Sequence, residues 1–380
     1  MKLLFSLFNY FPYGGQQRNF IRIANICTQA GHHVTLCVRT WEGPKPKEIK
    51  VRTLGCKGWT NASRNQNFIQ DLTKVINDGD YDGVIAFSKM PGLDIYFASD
   101  PCFKAKFESG KKWLSQLTRR YRLYSNWEKI VFKKGQKTQI LLITDREVPL
   151  YQKFYGTEPE RFHLLPPNID RRYFNEDDKA QAYTAKRKEL KLNKSAKILL
   201  MVGSSFNTKG VDRAIEGLVS LTSKEDKQSH LIIIGDGKAE NYKRLAKTLN
   251  VSSRVHFLGG RNDVPDWMLA ADLLVHPARS ENTGTVLLEA MTNGLPLLAS
   301  DVCGYSFHIK KAKAGKLIPS PFCQEQFNEL LGEMAHSHEL SKWSANGLNY
   351  AATEDLYSCH EKACQLIEKF IAKNYNHSSL

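Results

Sequence analysis

The 380-residue sequence has no run of roughly 18 consecutive apolar residues, so no helix long enough to span a bilayer is expected. Its eight cysteines (27, 37, 56, 102, 303, 323, 359 and 364) include no CxxC pair. Several stand in apolar surroundings such as VTLCV, which points to free thiols in a reducing compartment. No low-complexity tract argues for disorder, and no internal period of about 20 to 50 residues supports a solenoid or propeller. The opening MKLLFSLFNYFPYGG lacks a small-residue cleavage site, and Asn9 interrupts its apolar run, so it reads as a first strand and not a signal peptide.

What is present in excess is positive charge. The formal net charge of +15 implies an anionic partner: nucleic acid, an acidic membrane surface or a phosphorylated substrate. The length favours two domains, each with its own core. Short apolar runs recur between helical stretches: LLFSLF, HHVTLCV, GVIAFS and QILLIT, then KILLMVG, HLIIIGDG, VHFLGG, LLVHP and PLLAS. Continuous apolar strands alternating with helices predict parallel sheets covered on both faces, an α/β fold built twice. The proline pair in LLPPNIDRRYF, Leu164 to Phe174, predicts the boundary, giving domains at 1–166 and 167–354. In such folds ligands settle beyond the carboxyl ends of strands, where helix N-termini present unpaired N–H groups.

Three loops draw attention on that ground. Gly14-Gly15 stands between the first strand and a helix, where backbone can approach a phosphate or sugar closely; a plain tight turn is the alternative. Lys209, just before Gly210 and a helix, suits a pyrophosphate or is a solvated surface lysine. SENTGTVLLEAMTNG carries Glu281 and Glu289, the second among Leu287, Leu288, Ala290 and Met291, where an acid is costly without a specific partner. ENTG is expected to be a loop in which Thr283 caps the following helix, leaving the N–H groups of Gly284 and Thr285 to an anion between the two acids. A capping role for Glu281 and a salt bridge for Glu289 is the bland alternative.

DGDYDG, Asp78 to Gly83, imitates a calcium loop, but Lys89 stands where the closing Glu belongs, so a turn is expected. The pairs His32-His33 and His336/His338 lack companions at metal-ligand spacing. Phe103 to Lys134 holds ten Lys/Arg against two Glu, interleaved with Trp113, Tyr121, Tyr124, Trp127 and Phe132. It suits adsorption to anionic headgroups; a base-stacking nucleic-acid surface or a plain solvated helix face would look similar.

Together Glu281-x7-Glu289, Lys209-Gly210, the Gly14-Gly15 loop and GRNDVPDWMLAADLLVHPA resemble the retaining glycosyltransferases of family 4. YFPYGGQQRNFIRIA, KMPGLDIYFASD, KGVDRAIE, GRNDV and VCGY are similar, more narrowly, to the bacterial glucosyltransferases that add the first glucose to the heptose region of lipopolysaccharide core. The resemblance implies the GT-B architecture, two Rossmann-like domains with parallel sheets facing across a cleft. It implies an N-terminal acceptor domain, with a C-terminal helix from about 355 to 380 packing back on it, and a C-terminal nucleotide-sugar domain. The implied reaction moves a hexose, glucose from UDP-glucose, to the lipopolysaccharide inner core with retention and without a metal or other cofactor.

By resemblance the donor-binding residues are Gly15, Lys209, Arg261, Asn262, Glu281, Thr283, Gly284, Thr285 and Glu289. Glu281 would hold sugar hydroxyls and Glu289 ribose hydroxyls, with Lys209 and the amides near Thr283–Thr285 on the diphosphate and the base beside Arg261-Asn262. Glu281, Lys209 and Asp100 are the catalytic expectations, and Gly14, Gly15 and Asn19 the acceptor-binding ones. Thr208 stands where similar enzymes often carry Arg, so one charged phosphate contact is either missing or supplied by Arg172, Arg213 or Arg279. The implied setting is the cytoplasmic face of the bacterial inner membrane, with 103–134 on its anionic surface and no nucleic-acid partner.

Overall fold

The computed structural model describes residues 1–12, 14–55, 57–107, 116–171, 174–223 and 228–377, with 374–377 as backbone alone. Cys56, Trp113, Arg172 and the middle of the basic stretch, 108–115, lie outside the described residues. Two compact units result: Met1–Pro166 with Ser358–Leu380, and Pro167–Tyr357.

Among its described residues the first unit carries seven strands, β1 (Lys2–Tyr10), β2 (His33–Trp41), β3 (Lys50–Thr53), β4 (Gly83–Ala86), β5 (Ile95–Ala98), β6 (Gln139–Leu142) and β7 (Phe162–Leu164). They form one all-parallel sheet in the order β3-β2-β1-β4-β5-β6-β7. Its helices are α1 (Gly15–Gln29), α2 (Asn61–Asp78), α3 (Arg119–Phe132), α4 (Val148–Tyr155) and the C-terminal α14 (Cys359–His377). The second unit has β8 (Lys197–Val202), β9 (Ser229–Ile234), β10 (Val255–Phe257), β11 (Leu273–His276), β12 (Leu297–Ser300) and β13 (Gly315–Ile318). These too are all parallel, ordered β10-β9-β8-β11-β12-β13. Around them lie α5 (Glu176–Glu189), α6 (Phe206–Lys209), α7 (Val211–Ser220), α8 (Glu240–Thr248), α9 (Val264–Ala270), α10 (Thr285–Thr292), α11 (Ser306–Ala312), α12 (Gln324–Ala335) and α13 (Leu340–Thr353).

Both sheets are Rossmann-like and share a switch point where strand order reverses, between β1 and β4 in one and between β8 and β11 in the other. The central strands are buried on both faces, which is why their sequences are unbroken apolar runs: every residue of β4, β11 and β12 is buried. Three strands carry no such run, β3, β7 and β13, and all three are sheet edges; β5, IYFA, is apolar and wholly buried but only four residues long.

In α1 the buried positions Phe20, Ile23, Ala24 and Cys27 follow helical spacing and make one apolar stripe. In α14 Cys359, Ala363, Cys364, Ile367 and Ile371 do the same and join the core of the first unit. DGDYDG runs from the end of α2 through a turn into β4, where Asp82 accepts the backbone N–H of Lys2 at 2.6 Å.

The basic stretch differs from the expectation of a surface band. Trp127 and Phe132 of α3 are core residues, and Phe103, Phe107, Tyr121 and Tyr124 pack on one another with ring centroids 5.0–5.7 Å apart. The fully buried Glu128 holds this corner, accepting the Phe103 and Lys104 N–H groups at 2.6 and 3.0 Å, the Tyr155 hydroxyl at 2.7 Å and the Lys89 ammonium at 2.5 Å. Burial alone would raise the Glu128 pKa, but Lys89 and these donors outweigh it and hold the carboxyl below its ordinary value. Among the described residues the stretch leaves seven cations exposed, Lys106, Arg119, Arg120, Arg122, Lys129, Lys133 and Lys134, with Leu117, Thr118 and Asn126 beside them.

Candidate active site

The loops leaving β8 and β11, the two strands flanking the switch point of the second sheet, come together with the start of α10. They enclose a small cavity of about 210 Å³ lined by Val202, Gly203, Lys209, Glu281, Thr283, Gly284, Thr285, Val286 and Glu289. Lys209, both acids and the Thr283–Thr285 segment therefore share one wall set, although Lys209 and Glu289 are 80 residues apart in the chain.

Each wall is pinned by identifiable contacts. Lys209 ends α6, and Gly210 links it to α7 in a left-handed conformation, φ 74°. A Cβ there would stand 2.1 Å from the Pro277 carbonyl oxygen, so only glycine lets this loop lie against the one after β11. Arg213 donates to the carbonyl of Pro277 at 3.1 Å, and the Arg279 N–H donates to the Thr208 carbonyl at 2.8 Å. The Arg279 guanidinium also grips Asp212 in a two-pronged ion pair. Arg213 and Arg279 are thus committed to bracing the lysine loop.

Glu281 is held from behind by VCGY, residues 302–305. It forms a parallel bridge to Cys303, while the Gly304 N–H donates to the Glu281 carbonyl at 3.3 Å and the Tyr305 N–H to the Thr283 carbonyl at 2.7 Å. The helix N-cap is Gly284 and not Thr283: Gly284 adopts φ 85°, ψ 55° and no side chain caps the helix. Thr283 is instead a cavity wall, because its backbone is taken up by Tyr305. From Thr285 the helix buries Val286, Leu287, Leu288, Ala290 and Met291, leaving Glu289 half-buried at the cavity edge. The two acids therefore stand on a loop and on a helix, not on one continuous helix.

Inside the cavity the Lys209 ammonium contacts the Glu281 carboxylate. Burial pulls the lysine below its ordinary pKa, with Cys303 working against that pull. Behind the pair lies His276, the last residue of β11, completely buried with Nε2 3.6 Å from a Glu281 oxygen. Neither of its ring nitrogens has a hydrogen-bond partner among the described residues. Desolvation, with a smaller push from Lys209, drops its pKa to about 3, so at neutral pH it is an uncharged imidazole. Sequence reasoning missed His276; the signal available was a polar residue ending the otherwise apolar LLVH.

The remaining expected residues fall elsewhere. Arg261 is engaged by Asp263 through two contacts of 2.6 and 2.7 Å and by Glu189 at 2.8 Å, a network joined by Lys186 that ties α5 to the start of α9. Neither Arg261 nor the exposed Asn262 lines the cavity. In the first unit Gly14 caps α1 and Gly15 opens it, exposed, with open space where a Cβ would project. The Asn19 side-chain oxygen is 2.9 Å from Nε2 of His360 on α14. Asp100 is exposed after β5, and its carbonyl accepts the Tyr151 hydroxyl at 3.1 Å.

Two Rossmann-like units, one carrying a lysine and two glutamates around a helix N-terminus at its switch point, define a glycosyltransferase of GT-B type. The family model for glycosyl transferases group 1 matches residues 183–349. The chain is 42% identical over 370 residues to the lipopolysaccharide glucosyltransferase WaaG of Escherichia coli strain K12, covering 97% of this chain and 98% of that one, and it belongs to the same glycosyltransferase family. The crystal structure of WaaG, a glycosyltransferase involved in lipopolysaccharide biosynthesis, superimposes with a TM-score of 0.83 over 96% of this chain and 99% of its own. Sucrose-phosphate synthase from Thermosynechococcus elongatus, at 17% identity and a TM-score of 0.72, shares the fold over 98% of this chain and 99% of its own.

Proposed function

We propose that this chain transfers glucose from UDP-glucose to the heptose region of the lipopolysaccharide inner core with retention of configuration. The observation that carries the reading is the cavity uniting Lys209, Glu281, Thr283–Thr285 and Glu289. At about 210 Å³ it is smaller than sites for whole drug-sized ligands, roughly 300–1,000 Å³, and suits the diphosphate and its neighbouring groups. Lys209 and the N–H groups opening α10 supply positive charge for the diphosphate. Glu281 then accepts from glucose hydroxyls and Glu289 from the ribose. The extensive similarity to a relative named as a lipopolysaccharide glucosyltransferase supports the choice of sugar and acceptor.

In the reaction the bond from the anomeric carbon to the phosphate oxygen breaks, the acceptor oxygen bonds to the same face of that carbon, and the acceptor proton passes to the leaving phosphate. The protein's task is to stabilise charge growing on the diphosphate, which Lys209 performs by shifting from Glu281 toward phosphate. Gly14, Gly15, Asn19 and Asp100 are assigned to the acceptor and sugar side, and the unit with Arg261-Asn262 to the nucleotide. A panel of nucleotide sugars tests this directly: UDP-glucose is expected to raise the melting temperature more than GDP-mannose, and Glu281→Ala to abolish transfer while UDP alone still stabilises the protein. Transfer within a few-fold of wild type in that variant would refute the site.

The enzyme is further proposed to work on the cytoplasmic face of the inner membrane. Among the described residues no helix is long and apolar enough to cross a membrane, while the exposed lysines and arginines of 103–134 suit an anionic surface. Binding to anionic but not zwitterionic vesicles, weakening as salt rises from about 0.05 to 0.5 M, is the expected outcome; equal partitioning to both would exclude it.

A further inference from the structure

Away from the cavity, three metal-ligating side chains, His32, Cys364 and Glu368, converge where α14 lies on α1, and Cys27 lies against Cys364. Cys27 is on the buried stripe of α1, and His32 follows five residues later on the turn into β2. Cys364 and Glu368 sit one helical turn apart on α14, a spacing that puts both on one face. The Cys27 thiol donates to Cys364 with 3.1 Å between the sulfurs, and His32 Nε2 is 2.8 Å from a Glu368 oxygen. The donor atoms of His32, Cys364 and Glu368 all lie within 4.8 Å of one another. The other ring nitrogen of His32 is 3.5 Å from the Met1 nitrogen.

From this geometry we infer a structural zinc site formed by Cys27, His32, Cys364 and Glu368, which clamps α14 to α1. Zinc bonds of about 2.3 Å to sulfur and 2.0–2.2 Å to nitrogen and oxygen set tetrahedral donor separations of roughly 3.4 to 3.8 Å. The His32, Cys364 and Glu368 donors, within 4.8 Å of one another, are near that range, and Cys27 would swing in from its place 3.1 Å from Cys364 to close the fourth position. Thiolate and imidazole donors select zinc over magnesium or calcium, which take oxygen. Both cysteines are buried, whereas the Glu368 side chain is 41% exposed, giving the ion an entry path from that side. The ligands come in two local pairs, Cys-x4-His and Cys-x3-Glu, so one ion ties the chain's two ends within the first unit. It also fixes the face from which His360 reaches Asn19. The site is far in sequence from Lys209 and the two glutamates and takes no part in the transfer chemistry.

The full chain purified under reducing, chelator-free conditions is expected to carry one zinc. After stripping, zinc but not magnesium should raise its melting temperature. Cobalt substitution should give a near-ultraviolet sulfur-to-cobalt band that Cys364→Ser removes, while the exposed Cys323→Ser leaves it intact. Glu368→Gln, at the 41% exposed ligand, should weaken zinc binding more than tenfold, and it decides the matter if Cys364→Ser does not fold. A reduced protein that takes up no zinc, a cobalt spectrum without the thiolate band, or a Cys27–Cys364 disulfide whose reduction restores no zinc binding would each overturn the proposal.

Discussion

Lys209 and Glu281 contact each other inside the pocket proposed to take the donor diphosphate, and the geometry explains why neither is wasted. A buried carboxylate with no cation would be costly, and so would a buried ammonium with no anion; each gives the other its partner. The uncharged His276 behind them adds polarity without adding charge. Lys209→Ala should therefore do two kinds of harm, removing the cation from the diphosphate and leaving Glu281 buried without its partner. A fall of about 10²–10³ in kcat/KM is expected, the range for losing one stabiliser of a developing anion, measured by steady-state transfer from UDP-glucose. A loss confined to KM would mean that the lysine merely binds the ground state.

Helix α10 is a short apolar element with a special beginning. Its N-terminus is aimed by Gly284, whose φ of 85° is open to glycine at little cost, and a Cβ there would come within 3.2 Å of Glu281 Cγ. Gly284→Ala is expected to cost about 1–2 kcal/mol of stability, read from urea unfolding, and to raise KM for the donor by pushing Glu281 out of line. The expectation that Thr283 caps this helix came from side-chain preference alone; the strap from VCGY, which occupies the Thr283 backbone, overrode it. Packing likewise put Trp127 and Phe132 of α3 in the core while Tyr121 and Tyr124 stay partly exposed. An aromatic and basic stretch announces amphipathicity, but which rings enter the core depends on Glu128 and Lys89, which meet only in three dimensions.

Across the whole molecule, buried histidines couple folding to pH. His276 is lowered to about 3, and His230, His308 and His360 to about 4, in each case first by desolvation and then by His256 and Arg254 at His230, Lys209 at His276, Lys311 at His308 and Arg22 at His360. A base whose folded pKa lies below its unfolded value near 6.5 binds protons more readily when unfolded. Its stabilisation is therefore complete above that value and is lost as pH falls toward 4. Urea midpoints should be flat from about pH 8 to 7 and drop between about 6 and 4. His308→Asn, which keeps a partner for the Tyr350 hydroxyl now 2.7 Å from the imidazole, should shrink that drop.

The sequence by itself determined the two parallel sheets, because strands buried on both faces must be written as apolar runs, and it placed Lys209 and Glu281 in segments that follow strands, with Glu289 in the apolar helix beyond. Short edge strands such as β3, β7 and β13 escaped, since an edge needs no continuous apolar signal. Only the tertiary structure decided that Lys209 meets Glu281, that His276 stands behind them, and that Arg261 is spent on Asp263 and Glu189. It alone gave His32 its companions, from a helix more than 330 residues away in the chain. Local pattern records which face of an element is dry; which charged or ligating groups share that dry face is settled by packing between elements, and no local spacing encodes it.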